Sequence, residues 1–154
     1  MKMKTIGLTG ACFLLAAAAS FAADPMMGTW KLNDAKSKFP PGIGGKLTVV
    51  YEAAGNQVKV TADGTSLDGT PVHNEWTGNF DGKDYPVTGD PSSDARSYKR
   101  IDDHTVDFTI KKDGNVTFTG RCVISADGKS HTATYHGATP DTKKFTIVQV
   151  YDKA

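Results

Sequence analysis

Four histidines and one strand-borne cysteine are the side chains best suited to chemistry in this sequence: His73, His104, His131, His136 and Cys122. An imidazole can serve as general base or metal ligand, and a thiolate as nucleophile. The spacing speaks against each use. His131 and His136 lie five apart on one expected strand, which sends them to opposite faces and denies them a shared metal. His104 follows Asp102-Asp103 in a turn, where solvated polar residues belong. His73 and Glu75 make the best local acid–base pair, but Val72, Asn74 and Trp76 form the more apolar opposite face, so the pair faces solvent. Cys122 sits in the apolar strand pattern from Val116 to Ile124, which buries the thiol and keeps it inert. No glycine-rich loop precedes a helix, so a phosphate cradle is absent as well. The expectation is no catalytic constellation, no metal site and no cofactor.

The elements that carry these residues are strands. Runs at 27–32, 46–53, 57–62, 71–79, 84–88, 95–101, 104–111, 116–125, 130–136 and 144–151 alternate with turn signals. The turns are read at Gly55-Asn56, Asp63-Gly64, Asp68-Gly69, Asp81-Gly82, Asp113-Gly114 and Asp127-Gly128, since Asp-Gly tolerates positive φ at low cost. Val106, Phe108 and Ile110 alternate with Asp107, Thr109 and Lys111, the signature of a strand buried on one face. On the next strand Val116, Phe118, Gly120, Cys122 and Ile124 share a face, and on the last Phe145, Ile147, Gln149 and Tyr151 do. Successive hairpins without crossovers make an antiparallel up-and-down meander of about ten strands, and closing it into a barrel removes the exposed edges. A β-sandwich is the alternative. Between the first two strands, Pro40-Pro41 and the glycines at 42, 44 and 45 exclude a long helix. That segment reads as a surface loop, with a flap over a barrel mouth as the other option.

Composition agrees with strands. Residues 23–154 contain 16 Thr and 11 Val against 3 Leu and 2 Glu, which excludes a helix bundle. The first 22 residues are different. Met1 to Lys4 is basic, Ile6 to Ala19 is uncharged and apolar, and Ser20-Phe21-Ala22 places small residues for cleavage. A signal peptide over 1–22 and a single domain over 23–154 follow, with a periplasmic or secreted location. The apolar run is too short to cross ~30 Å of hydrocarbon, so no membrane span is expected. Without Lys2 and Lys4 the chain carries 16 basic and 17 acidic side chains, which excludes a duplex-binding nucleic-acid surface.

Gly28-Thr29-Trp30 opens the first strand, and a Gly-x-Trp there followed by a meander resembles the lipocalin and fatty-acid-binding-protein group, the calycins. Gly28 to Leu32 and Val150 to Ala154 are similar to the fatty-acid-binding branch. The stretch from Trp30 to Phe39 also resembles a group of small exported bacterial proteins. The calycin resemblance implies a lipocalin-like barrel whose base Trp30 closes. Two departures bear on the ligand. Residues 34–45 are too few for the two-helix lid of fatty-acid-binding proteins. Where those proteins meet a carboxylate with Arg-x-Tyr, this chain has Gln149-Val150-Tyr151, which can hydrogen-bond a polar head but brings no charge.

If the barrel is hollow, the apolar faces place Tyr51, Trp76, Phe108, Phe118, Gln149 and Tyr151 on its wall, with Gln149 and Tyr151 as the polar grip. The expected function is an exported barrel that carries or sequesters a small, mostly apolar, neutral molecule, and not an enzyme. The alternative is an envelope interaction protein, such as an inhibitor barrel that blocks an enzyme with its loops. A roomy interior favours the first, a filled interior with an exposed loop patch the second.

Overall fold

The computed structural model describes residues 24–154; the signal peptide expected over 1–22 lies outside the described residues. Alternation of apolar and polar residues produces ten strands: β1 (Gly28–Leu32), β2 (Gly45–Ala54), β3 (Gln57–Ser66), β4 (Pro71–Gly78), β5 (Asp81–Thr88), β6 (Ala95–Asp102), β7 (Thr105–Lys112), β8 (Asn115–Ile124), β9 (Ser130–Ala138) and β10 (Lys144–Lys153). Each pairs antiparallel with the next, and β1 also pairs with β10 through Trp30↔Lys153 and Leu32↔Tyr151. That last ladder closes the ring. The molecule is a ten-stranded up-and-down β-barrel, and the sandwich alternative is set aside because no strand is left at an edge.

Two turns were misplaced by sequence. Asp63-Gly64 is no hairpin but lies inside β3, where Asp63 pairs with Thr48 and His73. The chain reverses instead at Asp68, whose carboxylate accepts from Ser66 Oγ at 2.6 Å and from Thr70 N at 3.0 Å. Asp81-Gly82 likewise belongs to β5. The register to β6 shifts between Asp81 and Asp84, and Gly82 takes φ +79°. The pair forms a bulge rather than a turn. By contrast Asp113 and Gly114 have φ of 51° and 78° and make the tight β7–β8 turn.

A second bulge corrects the reading of β8. Ile110 pairs with Phe118, but Lys111 pairs with Val116, so one residue of β8 is skipped. Alternation is interrupted there, and Val116 is turned to solvent at 56% exposure instead of joining Phe118 inside. The β4–β5 ladder is the shortest in the ring, with only Glu75↔Thr88 and Trp76↔Val87, against ten pairs between β2 and β3.

One buried core runs from Met26 and Trp30 through Val106 and Phe108 to Tyr98 and Trp76. Trp30 is 0% exposed, and its indole N–H donates to the Met26 carbonyl at 2.9 Å. Lys153 Nζ lies 4.3 Å from the centre of its ring and donates to the Met27 carbonyl. Trp30 therefore plugs the base, with a cation on one side and His131 on another. Residues 34–45 begin with a short 3₁₀ turn, Asp34–Lys36, after which Lys38 exchanges two backbone hydrogen bonds with Val148 at 2.7 and 2.9 Å. The segment is thus tied to β10 before it crosses the rim. Ile43 and Leu67 remain exposed on that rim, and Leu67 N donates to the carbonyl of Gly44 at 3.2 Å.

Candidate functional site

Pairing across β6 to β10 gathers inward-facing residues into rungs around the barrel. At the base, Tyr151, His131 and Ile124 are neighbours; the next rung holds Gln149, Ala133, Cys122 and Val106. Above them come Ile147, Tyr135, Gly120, Phe108 and Tyr98, then Phe145, Gly137, Phe118, Ile110 and Arg96. Gly120 is what lets the third rung close. A Cβ there would stand 2.3 Å from Phe108 Cζ and 2.0 Å from the Thr134 carbonyl. Its missing side chain gives the Phe108 ring its place.

These rungs enclose a cavity of about 250 Å³. Tyr51, Phe108, Phe118, Gln149 and Tyr151, all expected on the wall, line it together. Trp76 does not. Its indole donates to the Arg96 carbonyl at 3.0 Å and packs on Phe80, Tyr85 and Tyr98, which takes it out of the cavity and into the seam between β4 and β6. A second, smaller cavity of about 130 Å³ lies under Phe39 and Ile43 and shares Leu47 and Gln149 with the first.

Five polar residues of the wall lie outside the sequence expectation: Asn74, Asp90, Ser92, Arg96 and His131. Arg96 Nη2 donates to Asp90 Oδ2 at 2.7 Å, and its Nη1 donates to Asn74 Oδ1 at 3.2 Å. Burial pushes the Asp90 carboxyl upward, but hydrogen bonds from Ser92, Ser93 and Arg96 outweigh it and hold the group below its ordinary range. The wall therefore contains a cation, contrary to the expectation of an amide and a phenol alone, and Asp90 cancels it. Asn74 could be found from sequence, since it alternates with the outward His73 and Glu75. For Arg96 there was no signal, because a charged residue on a mixed strand reads as solvated.

His131 is 2% exposed, and neither ring nitrogen has a hydrogen-bond partner among the described residues. Leaving a buried donor or acceptor bare costs roughly 1–3 kcal/mol. Burial, and then the charge of Lys153, push its pKa down to about 4, so the ring is neutral at neutral pH. The alternation of His131, Ala133 and Tyr135 against Thr132, Thr134 and His136 is the sequence signal for this placement. Burial also pushes the Tyr51 and Tyr151 phenols well above their ordinary value and the Cys122 thiol up to about 12. The interior is a place that disfavours charge.

Outside the barrel, His73 Nδ1 meets Asp63 Oδ1 at 2.5 Å, and Lys59 Nζ meets Glu75 at 3.1 Å. Asp63 and then Glu75 raise the His73 pKa. This is a solvated ion-pair network on the outer face of β3 and β4. Among the described residues no group of three or more His, Cys, Asp or Glu is placed to hold a metal, and no helix is long and apolar enough to cross a membrane.

No family model matches the chain, and no curated protein matches it. Among solved structures it is similar to that of EF1p2_mFAP2b bound to DFHBI, with a TM-score of 0.52 and 13% identity over 86% of this chain and 97% of that one. A redesigned β-barrel, mFAP1, bound to DFHBI gives a TM-score of 0.48 and 17% identity over 87% of this chain and 100% of that one. The likeness to the first is one of fold.

Proposed function

We propose that this chain is an exported, calycin-like barrel that carries or sequesters one small, mostly apolar molecule without net charge. The observation that carries the reading is the cavity, about 250 Å³ of space walled by aromatic and aliphatic side chains with few polar groups. Sites for small molecules have that make-up. A packed barrel of this strand number has no need of such a space. Neutrality of the ligand is supported by Gln149, where fatty-acid-binding proteins carry an arginine, and by the cancellation of Arg96 by Asp90. Gly28 and Trp30 on β1 support the calycin reading, and the leader-like residues 1–22 support export. Binding rather than catalysis is supported by the solvated setting of His73 and Glu75 and the buried setting of Cys122.

The test is native mass spectrometry of protein purified from its own source, followed by organic extraction. A bound small molecule is the expected result. Titration with a solvent-sensitive apolar dye, displaced by neutral and by anionic compounds, gives the affinity; absence of saturable binding refutes the carrier. One feature favours the alternative of an envelope inhibitor acting through its loops: Ile43 and Leu67, on two loops joined by the Leu67 N to Gly44 O bond, are both exposed. A co-purifying protein with an empty cavity is the outcome that reading requires.

A further inference from the structure

Hydrogen-bond acceptors and donors are unevenly engaged along the cavity wall. Asp90 accepts four bonds: Ser92 N at 2.8 Å and Ser92 Oγ at 2.6 Å on Oδ1, Ser93 Oγ at 2.5 Å and Arg96 Nη2 at 2.7 Å on Oδ2. A carboxylate has about four lone-pair sites, so this one is full. Asn74 Oδ1 and Gln149 Oε1 are each held by a donor of the wall, Arg96 and Tyr151 respectively. The donors show the reverse. Tyr51 and Tyr135 both line the cavity, and their hydroxyls bond to no side chain or backbone group among the described residues. Nor are they sealed: among the described residues, the unpartnered polar atoms without accessible surface belong to His131 and to Arg96 Nε. Two phenols therefore keep an open O–H toward the cavity. Burial raises the Tyr51 phenol most, and the neighbouring Cys122, Tyr98, Tyr135 and Tyr151 raise it further, so it stays an uncharged donor.

We propose that the cavity receives its ligand through an uncharged carbonyl oxygen, bound by the hydroxyls of Tyr51 and Tyr135. The inference rests on the carrier reading above and names the polar group of its ligand. A wall whose strong acceptors are taken and whose donors are open selects a guest that accepts and does not donate. A ketone, ester or quinone oxygen has lone pairs for both phenols and no hydrogen to place. An alcohol brings a hydrogen for which Asp90 has no lone pair left. A carboxylate accepts too, but it carries charge into an interior that holds the Cys122 thiol and the Tyr51 and Tyr151 phenols uncharged, and the one cation of the wall, Arg96, is engaged by Asp90. A hydrocarbon end would strip water from both hydroxyls and answer neither, which lowers affinity. The phenols are also held in place. They rise from β2 and β9, with β1 and β10 between them; Tyr51 packs on His131 at 5.8 Å, and Tyr135 on Phe108 at 4.8 Å and Phe118 at 6.2 Å. Rings packed in this way present their hydroxyls without having to reorganise.

The test uses three probes on one frame: 2-acetylnaphthalene, 2-ethylnaphthalene and 2-naphthoate. Each is titrated calorimetrically into the wild-type protein, Tyr51→Phe and Tyr135→Phe, and the carbonyl stretch of ¹³C-labelled 2-acetylnaphthalene is read by infrared difference spectroscopy. We expect the ketone to bind the wild type about tenfold more tightly than the hydrocarbon, as one neutral hydrogen bond contributes. In each variant that ratio falls by about threefold or more, while 2-ethylnaphthalene keeps its affinity within about twofold. The bound carbonyl stretch lies below its value in heptane and rises in each variant. Both substitutions remove an oxygen that no described residue bonds, so the urea midpoints stay at the wild-type value. Should a variant fail to fold, the wild-type ratio and stretch decide. Equal binding of ketone and hydrocarbon, a ratio that either folded variant leaves unchanged, a stretch at its heptane value, or tighter binding of 2-naphthoate overturns the carbonyl site and leaves the carrier standing. If none of the three binds while the apolar dye does, the site again falls alone. If the dye fails as well, the carrier reading falls and the site with it.

Discussion

The Tyr151 hydroxyl donates to Gln149 Oε1, 2.7 Å away and two residues back on the same strand. A period of two puts both side chains inside, and the bond between them fixes the carboxamide so that its Nε2 donors stay free for the cavity. Tyr151→Phe removes this bond. It should cost about 1 kcal/mol in denaturant unfolding, and dye affinity should fall in both Tyr151→Phe and Gln149→Ala, further in the latter. Either variant binding dye like the wild type refutes this pair as a polar grip.

Trp30→Ala should destabilise the barrel by roughly 3–5 kcal/mol, the cost of truncating a large buried aromatic. Its indole is fully buried and also holds Met26 and Lys153. Chemical denaturation measures the loss, and a value under about 1 kcal/mol would contradict the role of Trp30 as plug.

The Cys122 thiol should react slowly. Burial pushes its pKa up to about 12, and the side chain is closed off between Val106 and Ala133. Native protein exposed to a thiol reagent at neutral pH is expected to label far more slowly than unfolded protein. Rapid stoichiometric labelling is the contrary result.

Acid should act through His131. Its folded pKa of about 4 lies below the ordinary 6.5, so the unfolded chain takes up a proton that the native state refuses. Stability is undiminished above pH 6.5 and declines as pH falls toward 4, by on the order of 3 kcal/mol at the end of that window. His73, with its raised pKa, contributes in the opposite sense, gaining stability on acidification. Unfolding curves from pH 7 to 4 for wild type and His131→Phe isolate the difference, since the His73 term is common to both. Parallel curves would refute the burial of a neutral His131.

Charge preference should rest on Asp90. In the wild type, salt from low to moderate concentration should change the affinity for a neutral probe little, because screening acts on charges. Asp90→Asn leaves Arg96 uncompensated in the wall and should raise the affinity for 2-naphthoate at least fivefold, now with salt dependence. An unchanged anion affinity would mean that Arg96 is not reachable from the cavity.

Strand number and ring closure were legible because they depend on local signals repeated along the chain. Val106, Phe108 and Ile110 declare a face without reference to any partner. The errors arose where a second strand decides. Asp63-Gly64 is a good turn until pairing with Thr48 and His73 makes it strand. Val116 alternates correctly with Phe118 until a bulge, set by the register to β7, turns it outward. Five of the six expected wall residues line the cavity because period-two faces carry them there, and Trp76 is diverted by neighbours on β5 and β6. Arg96 and His131 escaped because polar residues inside a barrel contradict the pattern by which insides are recognised.

The two-pair ladder between β4 and β5 changes what holds the circle shut at that point. Elsewhere the hoop is closed by rows of backbone hydrogen bonds; here the clasp is a set of rings, Trp76 against Phe80, Tyr85 and Tyr98, with centroids 4.6 to 6.3 Å apart. Apolar packing weakens on cooling. This seam is consequently the cold-sensitive sector of the circumference, and chilling loosens the barrel there before it loosens the long ladder between β2 and β3.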